Sequence, residues 1–151
     1  MPFTTTYANN ILNYLFAKVQ TLNAPTAVYI GLCENDPEAD SGAISELSGK
    51  GYSRVLIAQK GEAYPNVIGS ASDRTIKNTY QINWTKATGD WAEAKGFFLS
   101  SSPTVGETNG IFFYGKLESP VTCVAGAVAL FDPNALTISF PEADVAAAAS
   151  S

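Results

Sequence analysis

Hydrophobic residues recur at three- and four-residue spacings near the N-terminus. Tyr7, Ile11, Leu12, Leu15, Phe16 and Val19 would share one face of a helix over 6–19. Thr5 or Thr6 offers an N-cap hydroxyl without a capping-box Glu or Gln behind it. Asn23 and Pro25 are predicted to end the helix, and its apolar face calls for cover from the rest of the chain. Beyond Pro25 the period changes. Ala27 to Cys33 is a short, nearly continuous apolar run, the pattern of a strand buried on both faces. Tyr52 to Gln59 predicts a second strand. From Thr75 to Trp84, Ile76, Tyr80, Ile82 and Trp84 alternate with Lys77, Thr79, Gln81 and Asn83, which predicts one half-buried strand.

Further strands are predicted at 96–100, 111–117, 121–123, 127–131 and 136–140, punctuated by Pro103, Gly106, Gly110, Pro120, Gly126 and Pro133. The stretches 34–51 and 61–74 are rich in turn residues and read as excursions. About eight short strands at such spacing predict a mainly β fold. The form expected is an antiparallel β-sandwich or jelly-roll-like barrel with one N-terminal helix packed on it. A length of 151 residues fits one domain over 1–151. That domain divides into a 6–19 helix, a 26–140 β domain and a 141–151 C-terminal tail or contact arm.

Composition narrows the function. Only 15% of residues are charged, which points to a surface partly covered in the working state. A net charge of −5 with scattered Lys and Arg argues against direct nucleic-acid binding, which needs basic patches to displace counterions. No apolar stretch is long enough to cross a membrane, and Met1 to Thr6 lacks the basic and apolar regions of a secretory signal. Synthesis in a cytosol, as a soluble chain, is the expectation. Cys33 and Cys123 are too few for a disulfide framework or a zinc site and read as small buried thiols. A disulfide between them stays open if their strands are neighbours.

The chain has no histidine, which removes Ser-His-Asp and Cys-His machinery and the commonest metal ligand. Glycines follow no phosphate-loop or dinucleotide pattern. The dense acidic stretch Glu34, Asp36, Glu38 and Asp40 reads as a solvated turn. Calcium is the sharper alternative, but Gly42 falls one place late for an EF-hand, and Leu47 stands where its bidentate Glu belongs. The same stretch is the one place where a carboxylate pair for glycoside chemistry would be sought. Trp84, Trp91 and Phe112 to Tyr114 read as core. No catalytic, cofactor-binding or metal-binding residue is assigned, no cofactor is expected, and the chain is expected not to be an enzyme.

Several segments resemble, in order, a family of small bacteriophage virion structural proteins described as head-decoration or tail-fibre proteins. They are the helix Tyr7 to Phe16, the strand Val28 to Leu32 with Asn35-Asp36-Pro37, and Glu46-Leu47-Ser48-Gly49-Lys50-Gly51-Tyr52-Ser53-Arg54. Ala87-Thr88-Gly89-Asp90-Trp91 before Gly96 to Leu99, Ile111 to Gly115, and Ala135 to Phe140 complete the series. The likeness spans about Thr6 to Phe140, with Lys50 where a glycine is usual. It implies a virion component, foremost a capsid decoration or cement protein that self-associates, for instance as a trimer, on the major capsid protein. The alternatives are a tail, baseplate or fibre-attachment subunit and a receptor- or glycan-binding module. The motif residues also have folding readings. Gly49 and Gly51 permit positive φ, and Arg54 pairs with a carboxylate or clamps a turn carbonyl.

Overall fold

A computed structural model of the chain describes residues 3–22, 24–60 and 67–139. One helix, α1 (Thr5–Leu15), precedes eight strands. These are β1 (Ala27–Cys33), β2 (Val55–Gln59), β3 (Thr75–Lys77), β4 (Ile82–Asn83), β5 (Ala94–Ser100), β6 (Ile111–Val121), β7 (Leu130–Phe131) and β8 (Thr137–Ser139). The main sheet is antiparallel in the order β2-β1-β5-β6, while β3 pairs with β8 and β4 with β7 in two short ladders. The fold is mainly β and sandwich-like, and no barrel closes among the described residues.

Register explains why β1 and β5 are apolar almost without a break. Ile30 lies opposite Leu99 and Leu32 opposite Phe97, and Phe113 of β6 continues this row beside Leu99. These side chains join Ile57, Ile82, Trp84 and Leu136 in the core. The alternate positions point the other way: Gly31 opposite Phe98, Cys33 opposite Gly96, Tyr29 opposite Ser100. Phe98, Cys33 and Ser100 are fully buried as well, so the sheet is covered on both faces. Gly31 has no substitute here, because a Cβ would stand 2.2 Å from Phe98 Cζ. A register shift between Ala94 and Gly96 turns Ala94 back into the core.

The outer strands are β2 and β6. The Val67 N–H donates to the Ile57 carbonyl (3.0 Å), and the Thr4 N–H donates to the Phe112 carbonyl (2.9 Å). Phe3 bridges Phe113, and the Glu38 carboxylate accepts from the Lys116 N–H at 3.1 Å. Each edge is thus covered in part by the chain itself.

Several elements differ from the sequence expectation, among them the strand expected from Tyr52, which begins at Val55. The helix is capped by Thr4 rather than Thr5 or Thr6, its Oγ1 accepting from the Tyr7 N–H at 3.4 Å. It stops at Leu15, because Ala17 takes a left-handed φ of 58°, well before Val19. None of its residues is buried. The expected strand over 75–84 splits into β3 and β4 at Asn78. This side chain is fully buried, its Oδ1 accepting from the Leu136 N–H (2.9 Å). Its Nδ2 donates to the carbonyls of Tyr80 (2.8 Å) and Asp132 (2.9 Å). The turn throws Tyr80 outward, 63% exposed, while Ile82 and Trp84 keep their core positions.

The expected strands at 111–117 and 121–123 are instead one, β6, which runs through Pro120 and stops before Cys123. An edge strand tolerates a proline because one side of it needs no ladder donor. The strand expected at 127–131 shortens to β7, and β8 ends the described chain. Asn23, 61–66, Phe140 and the 141–151 tail lie outside the described residues.

Candidate functional site

The strongest concentration of polar chemistry grows from the segment 46–54. Gly49, Lys50 and Gly51 all take positive φ (71°, 56° and 82°), and the Tyr52 N–H closes the turn on the Gly49 carbonyl at 3.0 Å. This reversal sets Glu46 beside Arg54. The Arg54 Nε donates to Glu46 Oε2 at 2.9 Å and Nη2 donates to Oε1 at 2.8 Å, a bidentate pair. The remaining guanidinium hydrogens go to Ser100 Oγ (3.1 Å) and to the carbonyls of Ser102 (2.8 Å) and Glu107 (2.8 Å). All five donors of the fork are used. The guanidinium also sits 4.9 Å from the centroid of the Phe98 ring, the same ring that lies across Gly31.

Glu46 is equally engaged. Besides Arg54 it accepts from the Tyr52 hydroxyl (2.8 Å) on Oε2 and from the Gly106 N–H (2.7 Å) on Oε1. The Tyr52 hydroxyl in turn accepts from the Leu32 N–H of β1 at 2.9 Å. Burial, and then the Glu46 carboxylate, push the Tyr52 phenol above its usual range, so it stays a neutral donor. Two donors meet each carboxylate oxygen. No lone pair is left for a metal or a substrate proton. The unit is a closed clamp that ties the 46–54 loop, β1, β5 and the 102–107 loop together.

Other motif residues converge on it. The Lys50 carbonyl accepts from the Thr88 N–H (2.9 Å) and from Trp91 Nε1 (2.8 Å), and Trp91 meets Tyr52 edge-on at 5.5 Å. Thr85 donates its hydroxyl to the Gly51 carbonyl at 2.7 Å. Asp90 caps the 124–126 turn, accepting from the Ala125 N–H at 2.9 Å. Pro37 packs on Gly96, where a Cβ would meet Pro37 Cδ at 2.4 Å.

The acidic stretch serves the loop it lies in. Asp36 accepts from the Glu38 N–H (3.0 Å), and Asp40 accepts from Asn35 Nδ2 (2.8 Å). Asn35 also reaches the Ala43 carbonyl at 2.7 Å. Among the described residues no group of three or more Cys, Asp or Glu is placed to hold a metal ion. Cys33 and Cys123 are free, buried thiols, so the disulfide left open by the sequence is not formed. Burial, and then Asp36, Glu46 and Asp40, push the Cys33 thiol up to about 12, while burial raises Cys123.

Two recesses open on the surface, the larger of them beside α1. The larger, about 770 Å³, is lined by uncharged hydroxyls and amides from Thr4, Asn10, Thr26, Ser101 and Thr108, with Tyr7 at its wall. An apolar recess of about 300 Å³ lies between Phe3, Ile76, Phe112 and Ile138. Sequence reasoning found Glu46, Tyr52 and Arg54 through their motif. It missed Ser100 and the Ser102 and Glu107 carbonyls, because nothing in a backbone oxygen's residue type marks it as a clamp partner. Among the described residues no helix is long and apolar enough to cross a membrane.

The family described as podophage GP4 fiber I protein gp80 matches residues 2–139 of this chain. No curated protein matches it.

Proposed function

This chain belongs to the podophage GP4 fiber I protein gp80 family and is a bacteriophage virion structural protein, and we propose that it works without catalysis as a subunit of the tail-fibre apparatus. The family's fibre description is the observation that carries this address. It moves the weight from capsid decoration, the foremost expectation from the resemblance, to the tail alternative. A scaffolding role accords with the clamp. The buried Glu46–Arg54 pair spends every donor and acceptor on holding loops to the sheet. Self-association and contact with neighbouring tail subunits supply the binding energy.

Cryo-EM of purified particles, with antibody labelling of this chain, tests the address. Labelled density on the fibres or their attachment collar is the expected result. Labelled density on the capsid shell returns the chain to the decoration reading, and an unlabelled particle sinks both.

Glycan binding is the second reading, favoured by the uncharged, hydroxyl- and amide-lined recess beside Tyr7. Binding to a surface-polysaccharide array that is lost in Asn10→Ala would establish it, and a blank array would remove it.

A further inference from the structure

We propose that the apolar stripe of α1 is a self-association surface, through which copies of this chain pack helix against helix. The helix inverts the usual arrangement. Its anchoring side is Tyr7, which rests 5.1 Å from Phe112 and 5.7 Å from Phe3. The rest of its apolar stripe is left uncovered, with Leu12, Leu15 and Phe16 exposed by 53%, 67% and 71%. Val19, just past the helix end, is 44% exposed. At roughly 150–250 Å² for a large side chain, these fractions leave on the order of 400 Å² of apolar surface on the helix and just beyond it. That is the size at which a patch on a monomer marks an interaction site. It is about half of the ~800 Å² per partner in a standard interface, enough for an apolar centre once the flanking asparagines form a rim.

Three observations select a second copy as the occupant. First, Thr5, Ala8, Leu12 and Leu15 alternate in three- and four-residue steps, the spacing at which identical helices interlock side chain into gap. Second, no charged residue occurs from Phe3 to Ala17, in a chain of net charge −5. Copies that repel elsewhere can meet here without opposing charges. Third, eleven residues are too few for a helix to persist by itself, and the body grips this one mainly at Tyr7. Neighbouring copies would supply the missing packing. The inference rests on the self-association part of the proposed function and is independent of head or tail address.

Sedimentation velocity of the purified full chain over a wide concentration range tests it, beside the triple variant Leu12→Ser, Leu15→Ser, Phe16→Ser. The wild type is expected at a multiple of the chain mass, dissociating on dilution. The variant is expected at single-chain mass throughout, with unchanged near-ultraviolet dichroism because none of the three side chains is in the core. A second variant guards against a folding artefact. Leu15→Cys is expected to form disulfide-linked pairs under mild oxidation, and Asn13→Cys, on the flank, is not. A wild type that stays monomeric overturns both the helix contact and self-association. An oligomer whose mass and cross-linking ignore these substitutions overturns the helix contact alone. Neither result bears on where the chain sits in the virion.

Discussion

Glu46 and Arg54 are eight residues apart, yet between them they tie Tyr52, Ser100 and the 102–107 loop together. Removing one member of a buried ion pair strands the other charge, at a cost of roughly 3–5 kcal/mol. Glu46→Ala is therefore expected to lower unfolding free energy by about that much in a urea titration. Replacing both, Glu46→Leu with Arg54→Met, is expected to cost less than either single change, because no charge is left buried. A double variant as damaged as the sum of the singles would refute the pairing.

Lys50 offers the opposite experiment. Its φ of 56° is a left-handed conformation that costs an ordinary residue roughly 1–2 kcal/mol. Glycine would relieve this while losing about 0.5–1 kcal/mol to a freer unfolded chain. Lys50→Gly is expected to raise the melting temperature slightly, by a net gain of up to about 1 kcal/mol. At this scale the sequence was readable where residue type carries the message. Gly49 and Gly51 announce a turn, and Arg54 announces a fork seeking a carboxylate or a turn carbonyl, without saying which. The carbonyls that complete the fork were invisible, since every residue has one.

Among the elements, β3 and β4 show how a polar side chain overrides a good alternating pattern. Asn78 mimics a strand neighbour, offering Leu136 an acceptor and the Tyr80 and Asp132 carbonyls two donors. Asn78→Ala would leave the Leu136 N–H buried without its acceptor, at about 1–3 kcal/mol for a stranded group. Loss of at least that much stability is expected, with faster hydrogen exchange at the Leu136 amide. Exchange unchanged at Leu136 would show that another group holds the turn.

The alternation from Ile76 to Trp84 correctly placed Ile82 and Trp84 in the core, but Ile76 is only partly buried and Tyr80 is exposed. Periodicity reports burial, and Asn78 is buried while being polar. The opposite error occurred at Pro120. Proline argues against a central strand, and the reading cut β6 there because the sequence gives no sign of which strand is outermost. The helix was recognised from its period. That its apolar face would be covered at Tyr7 and left exposed from Leu12 to Phe16 was not recognisable, because periodicity says which residues align and not what lies against them.

For the molecule as a whole, the sheet covered on both faces sets the response to pH. Cys33 has its thiol raised from 9.0 to about 12, chiefly by burial, and Tyr52 is raised above 10.0 for the same first reason. Both folded values lie above the unfolded ones. Their contribution is complete below the unfolded values and is lost as pH climbs toward the folded ones. Stability is expected to stay level through neutrality and to fall from about pH 9 toward about pH 12. Cys33→Ala is expected to make that fall shallower in melting-temperature measurements. A flat profile to pH 11 would mean that the thiol is less enclosed than the packing around Pro37 and Gly96 indicates. The fold class was available from strand count and turn spacing. The arrangement into one four-stranded sheet and two small ladders was not, since pairing between β3 and β8 joins segments some sixty residues apart.

The partial cover on β2 and β6 has a consequence outside the folded particle. A virion subunit is made in many copies within a crowded cell before it is built in. Bare strand edges at such concentration would template one another into fibrous aggregates. With Val67 on one edge and Phe3, Thr4 and Glu38 on the other, this chain meets its own copies with few backbone groups to offer. Removing the cover on β6 with Phe3→Ser and Thr4→Pro, which takes away the bridging side chain and the donor N–H, should convert a soluble stock into one that stains with amyloid dyes, leaving assembly to compete with precipitation.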